Sequence, residues 1–279
     1  MAAIARMNYM HSLYQASGQI SNEDLLYTLS LFACEPVRWV KEFEWRSLTP
    51  LEVCAAGTFW KSVGDAMGIS YKDLPSYERG WKDGLDWFEE VETWAKMYEQ
   101  KVMVPTKDNH QTAVETTAML LYTMPKALHP VGENVVSALM DDRLREAMMY
   151  KEPPSWLQAS VFKALHIRKY IIRYFFLPRP KIFGVELYTK TPNKDGKYHS
   201  KYYEVEPWYY PDTFYTRWIS PQTWSRWAVG LPIPGPQYKS EGYEIENLGP
   251  RHLEGKGRVE MTAGKAKMVA GGRGGCPFG

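Results

Sequence analysis

His11 is the first residue to weigh, in the run Ala5-Arg6-Met7-Asn8-Tyr9-Met10-His11-Ser12-Leu13-Tyr14. An imidazole can ligate a metal, shuttle a proton or simply hydrogen-bond, and the wider sequence narrows these roles. There is no HExxH pair for zinc. No Glu stands three residues before any of the six histidines, which removes the di-iron carboxylate bundle. A GxSxG elbow, a Walker loop and a GxGxxG turn after a strand are absent too, which argues against hydrolases and nucleotide enzymes. A haem iron is a different case, because the porphyrin supplies most of the coordination and one axial side chain suffices. On residue type alone, a lone histidine on a mixed helix face is more often a hydrogen-bonded structural residue than a ligand. Arg6, five residues earlier, could reach a haem propionate; a surface salt bridge is the commoner use of such an arginine.

The remaining candidates have plainer readings. His110, His129, His166, His199 and His252 each stand beside a turn or a charged stretch, where exposure or packing accounts for them. Asp24 and Glu52 are first-turn acids that stabilise helix ends. Arg143 and Arg145 sit among Asp141, Asp142 and Glu146, as in a solvated charge network. Asn109, at a loop-to-helix junction, reads as a cap, with pocket contact the lesser alternative. No catalytic nucleophile or acid–base pair is assigned.

These residues need a scaffold, and 279 residues provide one. A chain of this length buries roughly 75% of its unfolded surface and needs no disulfide or structural metal. Eleven Trp and 19 Tyr supply side chains suited to a core, or to a pocket for a flat or apolar ligand. The net charge is only +2, with cations and acids interleaved, so no basic stripe points to nucleic acid. Cys34, Cys54 and Cys276 cannot build a disulfide framework and read as reduced, the first two as small buried hydrophobes. No run approaches the roughly 18 apolar residues of a membrane span, and the N-terminus lacks signal-peptide architecture. By itself the chain reads as soluble or peripheral, and cytoplasmic.

Periodicity predicts an all-α fold of about seven helices. Residues 2–16 form the first, stopped by Gly18. Ser21-Asn22-Glu23-Asp24 opens the second, with Leu25, Leu29 and Phe32 facing inward and Pro36 kinking it or starting a further short helix. Thr49-Pro50-Leu51-Glu52 is the clearest start signal, a capping box with proline in the first turn. Behind it Leu51, Ala55, Phe59, Val63 and Met67 make an apolar stripe. Ser76 caps the next helix, whose inward face is Trp81, Leu85, Phe88, Val91, Ala95 and Tyr98. Helices over 107–123, 132–149 and 154–175 follow. The helical domain is thus residues 1–176. Residues 177–254 form an irregular extension rich in Pro, Tyr and Trp packed on it, with a small hairpin turning at Asn193-Lys194-Asp195-Gly196. The small, basic residues 255–279 read as a disordered tail.

Several short runs carry a resemblance. They are Arg6-Met7-Asn8-Tyr9-Met10-His11-Ser12-x-Tyr14, Ile20-Ser21-Asn22-Glu23-Asp24-x-Leu26-Tyr27-Thr28-Leu29, Glu35-Pro36-x-Arg38-Trp39 and Glu44-Trp45-Arg46-x-Leu48. Met103-Val104-Pro105 with Asn109, Arg143-Leu144-Arg145-x-Ala147-Met148 and Leu177-Pro178-Arg179-Pro180 continue the series. In this order, over most of residues 1–250, the chain resembles the fungal ER-bound oxygenases of the mycophenolic-acid-pathway type. Those share a catalytic domain with bacterial latex-clearing rubber oxygenases.

The resemblance implies a helical domain holding haem b, with His11 as the proximal iron ligand and Arg6 beside a propionate. It implies O2 as co-substrate and cleavage of a carbon–carbon double bond in an isoprenoid or related apolar chain. The substrate cavity is expected between helices 22–33 and 107–123. Relatives are ER-associated, and full-length ones reach a membrane surface. The chain departs from the pattern in lacking the Arg- and Thr-bearing helix that precedes the histidine motif, and in carrying Ser30 where bacterial relatives often have histidine. It is therefore expected to be N-terminally truncated. The alternative is a non-catalytic helical remnant that binds an apolar ligand or a partner without haem.

Overall fold

A computed structural model describes residues 1–178 and 180–271. Among them there is no strand, and the fold is all-α. The helices are α1 (Ala2–Ala16), α2 (Asn22–Phe43), α3 (Pro50–Met67), α4 (Gly84–Val102), α5 (Lys107–Leu120), α6 (His129–Leu139), α7 (Asp142–Ala147), α8 (Ser155–Phe175), α9 (Pro221–Ala228) and α10 (Arg258–Ala270).

The capping box expected at Thr49 and Glu52 forms, and α2 opens with a second one at Ser21 and Asp24. Glu52 also takes two hydrogen bonds from Arg46, at 2.8 Å each. That arginine, then the Thr49 amide, lowers its carboxyl to about 2. Pro36 does not break α2, which runs on to Phe43. The 132–149 segment divides instead, because Asp141 caps a new helix through the Leu144 amide. Asp83, not Ser76, caps α4, accepting from the Leu85 and Asp86 amides. The preceding loop is fastened to α4 by Glu90, which accepts from the Ser76 amide and the Trp81 indole.

The main core lies where α2, α3 and α4 meet the loop behind α3. Leu26, Leu29, Leu74, Trp87 and Val91 are buried there. The expected face of α3 holds only in part: Val63 and Met67 pack against the core. The buried positions of α3 are Gly57, Lys61 and Gly64, while Leu51 is 78% and Phe59 is 59% exposed. The physical reason is proximity. Gly57 and Gly84 let the α3 and α4 backbones touch, so that side of α3 has no room for a large side chain, and Leu51 and Phe59 turn outward. Phe32 is exposed as well, stacked on Trp60 with ring centroids 5.3 Å apart.

Cys34 and Cys54 are unbridged and half-buried. Burial, reinforced by Glu92 and Glu35, pushes the Cys34 thiol up to about 12. At pH 8 its thiolate fraction is then on the order of a thousandfold below that of an ordinary cysteine. Alkylation of the native chain at pH 8, mapped by mass spectrometry, is expected to spare Cys34 and to modify it only in urea. Rapid native labelling would contradict this placement.

The hairpin is present in outline. Leu187 and Thr189 exchange backbone hydrogen bonds with Lys201 and His199, and Asn193 organises the turn. The rest of the extension has its own small centre, rather than lying flat over the helices through all its aromatics. Arg226 lies over the buried Tyr203 ring and donates to the carbonyls of Glu204, Val205 and Pro232. Trp218, Trp224 and Trp227 remain exposed.

The tail expected to be disordered contains α10. Met261 and Met268 on one of its faces bury against Ala5 of α1. The small, basic composition hid this amphipathic pair, whose partner is at the other end of the chain. Residues 272–279 of the expected tail, with Cys276, lie outside the described residues.

Candidate functional site

α1 presents His11, and the far end of the chain positions α1. The Arg6 side chain is 2% exposed. Its Nε, Nη1 and Nη2 donate to the carbonyls of Leu248, Lys256 and Leu253 at 2.8, 2.8 and 2.9 Å. Its guanidinium also lies over the Tyr9 ring, 5.6 Å from the centroid. Gly257, in the left-handed region at φ +80°, gives Tyr9 room; a Cβ there would fall 2.5 Å from the ring. On the other side, Asn8 Nδ2 donates to the Ala66 carbonyl at the end of α3, at 2.9 Å. Thus α1 is clamped between α3 and the segment that ends in α10.

His11 follows one turn after this clamp. The ring is half-buried, and Nδ1 is shut off from solvent without a hydrogen-bond partner. Burial lowers the imidazole pKa, which keeps the ring neutral with a lone pair free. That is the form a metal ligand requires. By this chemistry His11 fits as a single axial ligand to haem iron. The acceptor that usually orients a ligating histidine's second nitrogen is not supplied to Nδ1. Among the described residues no group of three or more His, Cys, Asp or Glu could hold a metal ion.

Arg6 corrects the expectation made for it. The guanidinium is committed to three backbone carbonyls, and its observed work is to lock the chain ends together, not to face a propionate. Arg143 and Arg145 have structural partners as well. Arg143 reaches Glu99 at 3.7 Å, and the buried Arg145 bonds Asp142 and the Met140 carbonyl. Asp24 and Glu52 cap helices as expected. Ser30 is buried and donates to the Tyr27 carbonyl at 2.6 Å.

The apolar cleft is not where it was expected. A cleft of about 610 Å³ is bounded by α2, the end of α4 and the start of α7, with Tyr27, Leu31, Phe32, Trp39, Met103 and Leu144 in its walls. Tyr27 donates to Glu99 at 3.0 Å on its rim, and its phenol pKa is raised by burial and then by that carboxylate. α5 instead faces α6 across a separate cleft of about 490 Å³. There His110 and His129 are tied to the carbonyls of Met148 and Met124. His11 borders neither cleft, so the structure does not bring the imidazole and the apolar cleft together.

Sequence reasoning missed the 245–268 clamp. Its signal was faint: Met261 and Met268 two helical turns apart, and left-handed glycines at 249 and 257.

Among the described residues, this all-α body leaves one buried imidazole nitrogen, His11 Nδ1, without a hydrogen-bond partner. Comparison with known families gives the class of the chain. Residues 1–167 match the catalytic domain of the ER-bound oxygenase mpaB/B'/rubber oxygenase family, and the chain belongs to that family. It is 46% identical over 281 residues to the ER-bound oxygenase mpaB' of Penicillium brevicompactum, covering 99% of this chain and 66% of the relative. It is 42% identical over 240 residues to the ER-bound oxygenase mpaB of the same organism, covering 86% and 55%. To the ER-bound oxygenase mpaB of Penicillium roqueforti (strain FM164) it is 56% identical over 150 residues, covering 54% and 50%. The chain thus spans between half and two-thirds of the length of these relatives. No helix among the described residues is long and apolar enough to cross a membrane.

Proposed function

We propose that this chain is the core of a haem b-dependent oxygenase that uses O2 to cleave a double bond in an isoprenoid-like apolar substrate, at the ER membrane. The observation that carries the haem assignment is the half-buried, neutral His11 ring with an unengaged nitrogen, on a helix held firmly at both sides. When bound, the haem supplies the oxygen chemistry, and the protein supplies one axial nitrogen and exclusion of water. Membership of an oxygenase family supports O2 as co-substrate. The cleft along α2 offers burial for an apolar chain, and its separation from His11 makes it a binding surface rather than the place of bond cleavage.

Reconstitution with hemin tests the proposal. The wild-type chain should develop a Soret band, and His11→Ala should lose or shift it. His110→Ala, at an imidazole already hydrogen-bonded to a backbone carbonyl, should leave the band in place. If the wild-type chain takes up no haem, or if His11→Ala takes it up with an unchanged spectrum, the assignment fails.

A further inference from the structure

We infer that the outward face of α8 and the chain just beyond it form a docking surface for an anionic phospholipid bilayer. The inference names a contact surface for the membrane association proposed above and rests on that reading.

α8 is pinned to α2 along one side. The Phe162 and Phe43 ring centroids are 5.8 Å apart, and His166 Nε2 lies 3.3 Å from Glu42. Arg168 reaches Glu44 at 3.1 Å, and Lys169 donates to the Glu42 carbonyl at 2.9 Å. The half-buried side of α8 carries Leu157, Val161, Phe162, Leu165 and Ile172 together with Gln158, His166 and Lys169. The opposite side carries Trp156, Ile167, Tyr170, Ile171 and Tyr174, all exposed. α8 thus has apolar residues on both sides, where a surface helix usually keeps its apolar stripe toward the core alone. The apolar surface continues through the last residue of the helix and beyond it, with Phe175 81% and Leu177 91% exposed. Soluble proteins rarely leave so continuous an apolar surface uncovered.

Charge selects the occupant. α8 holds Lys163, Arg168, Lys169 and Arg173 and no Asp or Glu; Arg168 is paired with Glu44 and Lys169 is bound to backbone carbonyls of α2. Lys163 and Arg173 have no acidic partner among the described residues, and Arg173 lies over the Tyr174 ring, 5.7 Å from its centroid. A helix with an aromatic and aliphatic face, flanked by cations and free of acids, suits the headgroup region of a bilayer containing anionic lipid. A second copy is disfavoured, because a two-fold contact sets the same patch against itself and brings cation to cation. α8 cannot span a bilayer, so it would lie along the surface.

Co-sedimentation with vesicles tests this. The chain should pellet with phosphatidylcholine–phosphatidylserine vesicles and more weakly with phosphatidylcholine alone. Tyr174→Glu with Phe175→Glu should lower the apparent partitioning by roughly tenfold or more, with the helical circular dichroism unchanged. Leu177→Ser, outside the helix, should weaken it in the same direction. Binding that survives both variants overturns this surface while leaving membrane association intact. An absence of binding to any vesicle overturns both. A dimer in solution that the same variants dissociate assigns the face to a second copy and also overturns the proposal. None of these outcomes depends on hemin uptake.

Discussion

Arg6→Met is expected to destabilise the native chain by about 4 kcal/mol, measured by urea denaturation without any added cofactor. The substitution keeps much of the apolar stem and deletes a guanidinium that satisfies three carbonyls. A buried carbonyl left without its donor costs about 1–3 kcal/mol, and hydrogen bonds from a charged donor are at the upper end of the usual range. Some relief comes from no longer burying a cation, so the sum of three such terms is not reached. Arg6→Lys should recover less than half of the loss. Its ammonium is a single point donor and cannot reproduce the planar fork that meets Leu248, Leu253 and Lys256 from different nitrogens. Limited proteolysis gives a second readout: in Arg6→Met, cleavage should accelerate within 245–271 before it does within α2–α4. A stability change under about 1 kcal/mol would show that the carbonyls find other donors and that Arg6 does not hold the chain ends together.

The second large effect belongs to the α3–α4 crossing. Gly57→Ala is expected to cost about 3 kcal/mol, at the upper end of the overpacking range, because the obstruction is backbone and not a side chain that can swing away. A methyl group on Gly57 would overlap the Gly84 carbonyl, and one on Gly84 would overlap the Cys54 carbonyl and the Thr58 hydroxyl. Either change pushes the two helices apart and loosens the packing around Trp87 and Phe88. The double variant Gly57→Ala, Gly84→Ala should fall well short of additivity, since one separation of the helices makes room for both methyl groups. Full additivity, or a single-variant cost below about 1 kcal/mol, would mean that the helices are not in backbone contact there.

The starts of α2 and α3 were legible because capping is local. Ser21 with Asp24 and Thr49 with Glu52 lie three residues apart, and the hydrogen bonds follow from that spacing. The inward face of α3 was legible only in part. A stripe of Leu51, Ala55 and Phe59 satisfies the rule for a buried face, yet Gly57 and Gly64 face the core. Small residues give weak hydrophobic signals, and their effect appears only when another backbone comes close. The same limit hid α10, whose buried methionines pack on Ala5. In the candidate site, His11 could be singled out by residue type and resemblance. The fate of its neighbour Arg6 could not, since its acceptors lie 242 to 250 residues away.

By itself the sequence determined the helical class, most helix starts, the unbridged cysteines in α2 and α3, and the runs that mark the oxygenase family. These follow from spacings of three or four residues and from short ordered motifs, which need no knowledge of the rest of the chain. Tertiary structure alone decided that Gly57 and Gly64 of α3 face the core while Leu51 and Phe59 do not. It also decided that Arg6 clasps the C-terminal segment, and that the apolar cleft opens along α2, apart from His11. Those outcomes depend on which surfaces meet across long loops, and local periodicity carries no information about a partner two hundred residues away.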